Sequence, residues 1–161
     1  MTDVAFLYST AAVSMSLASL AGLVIAFRRT GVWGAHDLYR LRQIVEWGFA
    51  NVLLAFLAIP AAATLGSEAS ALRFMGVLAL VYITVNILVL QRRIVALRPV
   101  VVVKPPQLVV VIDFAAAMFA TATIILASIG PWELTLLVLI TRPMTAFILV
   151  LASIGRETDA S

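Results

Sequence analysis

The chain contains no cysteine and a single histidine, His36. The first absence excludes disulfides, thiolate metal sites, iron–sulfur clusters and thiol nucleophiles. The second leaves no histidine-based metal site or His-dependent triad within one chain, so no metal and no other cofactor is expected. A phosphate-cradling glycine loop and a nucleophile–base pairing are missing as well, and the chain reads as a non-enzyme. Charge is also scarce, at 12% of 161 residues against about 25% in a soluble domain. Apolar residues take its place: they make up 63% of the chain, and the mean hydropathy is +1.12. These departures together predict an all-α integral membrane protein, with residues 1–161 as one polytopic domain.

A helix that crosses a bilayer needs about 20 apolar residues, and five runs qualify: roughly 4–27, 44–65, 70–90, 108–129 and 132–154. If the N-terminus lies outside, the loops after the first and third spans are cytoplasmic. They hold Arg28, Arg29, Arg40, Arg42, Arg92, Arg93, Arg98 and Lys104, and the C-terminal tail adds Arg156. Nine of the eleven cations are then inside, which predicts an N-out, C-in bundle of five helices, expected in a cytoplasmic (inner) membrane. The net charge of +3 does not point to nucleic acid, because the cations flank spans and face headgroups. The first span does not read as a cleaved signal, since Asp3 and no basic residue precedes it.

Two segments between spans have character of their own. Asp37 can cap a short cytoplasmic interfacial helix before the second span, with Leu38, Leu41 and Val45 on one face and Trp33, Tyr39 and Trp47 at headgroup depth. The segment "RPVVVVKPP" favours extended backbone, as a stiff linker or a strand pairing with its copy. "LASIG" occurs at 126–130 and 151–155, where a glycine is expected to close each helix, so the last hairpin should turn at Gly130–Pro131.

Helices in lipid associate through small residues and polar contacts. Thr10, Ser14, Ala18, Gly22 and Ala26 recur at every fourth position of the first span, a stripe about 24 Å long. Asp113, Ala116, Ala120, Thr123 and Ala127 form a similar face on the fourth. Both read as packing seams, with a water-lined pore wall as the alternative for the first. Asn51, Asn86 and Asp113 are expected about 10, 6 and 8 Å in from the cytoplasmic ends of their spans, with Tyr82 one turn from Asn86. They read either as an interhelical hydrogen-bond network or as the wall of an inner vestibule.

Arg142 stands near the middle of the last span, twelve residues from its inner end and ten from its outer end. Asp113 is the obvious counter-ion, but a turn at Gly130–Pro131 offsets the two by about 9 Å. Pro143 follows at once; it lacks an amide hydrogen and frees the carbonyl of Leu139, favouring a break in the helix. Thr141, Thr145 and the guanidinium of Arg142 are nearby candidates to satisfy that oxygen.

Length and span number resemble the translocator protein family. That family's tryptophan-rich pattern and Pro-Gly-Trp segment are not matched by Trp33, Trp47 and Trp132 or by "KPPQLVVVID". The Arg and Asn-Glu pattern of membrane glutathione transferases is absent too. Two functional expectations follow from the residues alone. The first is an oligomeric channel or transporter-like protein in which Arg142 lines a polar path. The second is a non-catalytic membrane subunit or scaffold packed against other membrane proteins. The expected partners are the lipid bilayer and either further copies of the chain or other membrane proteins.

Overall fold

The computed structural model describes the backbone of residues 4–27, 35–97 and 107–158, and the side chains of 4–24, 40–89, 92 and 107–152. Among the described residues there are five α-helices: α1 Val4–Phe27, α2 Ala35–Leu65, α3 Glu68–Leu97, α4 Gln107–Leu126 and α5 Ile129–Thr158. All five are long and apolar enough to cross a membrane. The extended reading of 98–106, the roles of Trp33 and Tyr39, capping by the Asp37 side chain and the Ala26 end of the α1 stripe lie outside the described residues.

α2, α3 and α5 overrun the apolar stretches that announce them, because an α-helix continues as long as its backbone bonds can form, whatever its side chains. The short helix expected before the second span runs directly into it, as its position suggests. Residues from Ala35 onward run without a break into α2, and Leu41 and Ile44 are already buried there.

The turns are where local chemistry decides. Gly66, with φ of 68°, closes α2 in the left-handed region that glycine enters without strain. Ser67 then caps α3: its Oγ accepts the amide of Ser70 at 3.1 Å, and Glu68 places an acid in the first turn.

The glycine closures expected from "LASIG" are overturned. α4 stops at Leu126, and the non-glycine Ala127 takes the positive φ of 47° while its amide donates to the Thr123 carbonyl at 2.9 Å. Gly130 lies inside the first turn of α5, and Gly155 lies within α5. Proline supplies the reason: it is best accommodated in the first turn of a helix, where its amide is not needed, and α5 begins early enough to hold Pro131 there. The hairpin therefore turns at Ala127–Ser128, and the 9 Å offset derived for a turn at Gly130–Pro131 does not carry over.

The chain divides into two compact units. One is Leu57–Val138; the other is Asp3–Phe56 with Leu139–Ser161. In the first, α3 packs on α4. A Cβ built on Gly76 would lie 2.7 Å from Ile124 Cγ1 and 2.9 Å from the Ala120 carbonyl oxygen, so the two backbones approach as only glycine allows. Asp113, Ala116, Ala120 and Thr123 are buried along α4, whereas Ala127 is past its end.

The second unit joins α1, the first half of α2 and the second half of α5. Ala21, Leu41, Ile44 and Val150 form its apolar centre, flanked by Leu17, Val24, Val45, Ala146 and Phe147. Gly48 presses on α1, where a Cβ would meet the Ser14 carbonyl oxygen at 3.0 Å and Ala18 Cβ at 3.2 Å. The buried face of α1 runs Leu7, Ala11, Ser14, Ala18, Ala21 with Thr10 beside it, and Gly22 is exposed. The deviation from the every-fourth stripe is geometric. Four residues turn a helix through about 400°, so a strict four-residue repeat drifts by about 40° each step, while alternating steps of four and three stay on one side.

Candidate functional site

The polar side chains of the second unit are placed by α2. Gln43 and Trp47 are four residues apart and share a face, and the helix carries them to Arg142 on α5. An Arg142 guanidinium nitrogen, Nη1, donates to Gln43 Oε1 at 3.4 Å, and Cζ lies 4.8 Å from the centre of the Trp47 ring. The ring's negative face complements the cation, an attraction that strengthens as water is removed. Arg142 is 5% exposed and Trp47 2%, so this guanidinium is enclosed by protein. Pro143, next in sequence, is buried within α5, and the Thr145 hydroxyl donates to the Thr141 carbonyl at 2.7 Å.

A second contact fixes the register of these two helices. Arg40 Nη1 donates to the Leu149 carbonyl at 3.5 Å. As numbering rises along α2 it falls along α5, so the segments are antiparallel, with Arg142 level with Gln43–Trp47. Along its own helix Arg142 falls near the middle of the candidate span Ile129–Ala152, as expected. Measured along α2, it is level with residues near the start of the candidate span Arg40–Leu65. A residue count along one helix could not show this, because neighbouring helices are staggered in ways that only their side-chain packing sets.

Asn51 is 1% exposed, and its Nδ2 donates to Ser14 Oγ at 3.0 Å, joining α2 to the small-residue face of α1. Breaking this bond should be measurable. In a double-mutant cycle of Asn51→Ala and Ser14→Ala, unfolding in detergent should show a coupling of about 0.6 kcal/mol. A coupling of zero would mean that the two side chains do not support each other.

The remaining candidates are distributed differently. Asn86 is half-buried, and its Nδ2 donates to the backbone carbonyl of Tyr82 at 3.0 Å, within its own helix and not to the phenol. Asp113 is buried in the first unit. The second unit thus gathers Arg142 and Asn51 with Thr10, Ser14 and Ala18, while Tyr82, Asn86 and Asp113 belong to the first. Among the described residues, no three histidines, aspartates and glutamates cluster as a metal would require.

Sequence reasoning missed Gln43 and Trp47 as partners of Arg142, and passed over Gly48 and Gly76. The four-residue spacing of Gln43 and Trp47 was visible, but nothing local announces that α5 is the helix they meet. No protein-family model matches the sequence, and comparison with curated proteins and with solved structures gave no match.

Proposed function

We propose that this is an integral protein of a cytoplasmic (inner) membrane, N-out and C-in, that serves as a non-catalytic membrane subunit or scaffold packed against other membrane proteins. The observation that carries the reading is the enclosure of Arg142. A guanidinium closed in by Gln43 and stacked on Trp47 reads as part of the packing and not as the wall of an anion path, where such a group would face water. The Asn51–Ser14 bond has the same character. In this reading Arg142 lies toward the cytoplasmic headgroups, on the side that holds nine of the other ten cations.

The experiment has two arms. Proteoliposomes of the purified chain should show no chloride or proton flux above protein-free vesicles, and Arg142→Leu should change nothing. In-cell cross-linking followed by purification in mild detergent should yield a stable complex with a membrane protein of different sequence. A chloride flux abolished by Arg142→Leu would overturn the reading in favour of a channel. A homogeneous homo-oligomer without a second protein would overturn the scaffold role.

A further inference from the structure

Two helices carry a proline in their interior: Pro60 in α2 and Pro143 in α5. Proline has no amide hydrogen, and its ring crowds the carbonyl four residues back, so the helical bonds to the carbonyls of Phe56 and Leu139 are not made. The division of the chain into compact units falls between Phe56 and Leu57 and between Val138 and Leu139. Both divisions thus occur at the residue whose carbonyl a proline has released.

Threonine hydroxyls back-bond near both prolines, as hydroxyls also do at Ser16, Thr121, Thr123 and Thr135 within the units. Thr64 Oγ1 donates to the carbonyls of Pro60 and Ala61 at 2.8 and 3.2 Å, and Thr145 Oγ1 donates to that of Thr141 at 2.7 Å. Such back-bonding competes with the helical ladder and bends it. The flanking segments, by contrast, are tied down. On one side of the α5 break, Arg142 is held by Gln43 and Trp47; on the Phe56 side of α2, Asn51 is held by Ser14. In the other unit, Gly76 locks α3 to α4.

α1 belongs entirely to one unit, and α3 and α4 to the other over their long apolar stretches, so among the described residues the chain passes between units only through α2 and α5. Two bodies joined by two helices cannot turn if either helix is an unbroken rod. They can turn if both are broken. We propose that Pro60 and Pro143 are paired hinges, and that bending of α2 and α5 at these points lets each unit move as a rigid body, a conformational device of the hinge type. The scaffold reading does not depend on it, nor it on that reading.

The test uses the full chain in lipid nanodiscs and exploits its lack of cysteine. Spin labels go on exposed positions: Met15→Cys with Met118→Cys spans the two units, and Met15→Cys with Phe49→Cys lies within one. In otherwise unaltered protein, the distance distribution between units should be clearly broader than that within the unit. Adding Pro60→Ala and Pro143→Ala together should narrow it to the width of the control, while either substitution alone should narrow it too, because one unbroken rod suffices to block the turn. An unsubstituted distribution between units as narrow as the control would overturn the proposal, and it needs no proline variant to be read. A broad distribution that the double substitution leaves unchanged would overturn it as well.

Discussion

Trp47→Ala is expected to destabilise the protein by about 3–5 kcal/mol, read as a lowered unfolding midpoint in detergent. Trp47 is among the largest fully enclosed side chains, so its removal opens a void that neighbouring helices close only in part. The same truncation strips the aromatic face from the Arg142 guanidinium, leaving a buried cation beside an empty space. The two effects can be separated. Trp47→Phe keeps a π face and much of the volume, and should lose about 1–2 kcal/mol. Trp47→Leu fills space without a π face, and combining each variant with Arg142→Met should remove the difference between Phe and Leu. If Phe and Leu are equally tolerated with Arg142 in place, stacking contributes nothing and only volume matters.

Gly76→Val is the second large effect, with an expected loss of about 3 kcal/mol or more, and about 1–3 kcal/mol for Gly76→Ala. The first carbon added at Gly76 already falls 2.9 Å from the Ala120 carbonyl oxygen, a backbone atom that moves only if α4 moves. The Ile124 side chain at 2.7 Å could change rotamer, but the carbonyl has no such freedom. Gly22→Ala is the matched control, because nothing lies within 4 Å of the position its Cβ would take. There the better helix propensity of alanine should leave stability unchanged or raise it by about 0.5–1 kcal/mol. The same substitution thus has opposite signs at two glycines of apolar helices. Thermal unfolding of the two variants side by side checks this. A stable Gly76→Ala would mean that α3 and α4 do not approach so closely.

The α1 stripe and the last hairpin show how far local pattern reaches. Thr10, Ser14 and Ala18 are buried as a small-residue face would have it, yet the seam leaves the stripe at Ala21 because helical geometry will not hold a four-residue repeat on one side. In the hairpin, glycine's preference for closing helices was a sound local signal that lost to a stronger one. Pro131 is best accommodated in the first turn of α5, and the turn moved to Ala127–Ser128 at the expense of a left-handed alanine. Both outcomes are explicable from the residues, but only once competing local demands are weighed against each other in three dimensions.

The sequence by itself determined the number of long apolar helices, their order and their approximate bounds, because hydropathy over about 20 residues is a property of each segment alone. It also marked Arg142 and Pro143 as exceptional in such a segment. Only the tertiary structure decided what Arg142 meets. Gln43 lies 99 residues away in the chain, and helices of nearly equal greasiness carry no composition signal saying which is neighbour to which. Their choice of partner and their stagger rest on close approach at glycines such as Gly48 and Gly76 and on a few polar contacts, short-range forces that exist only after the helices have met.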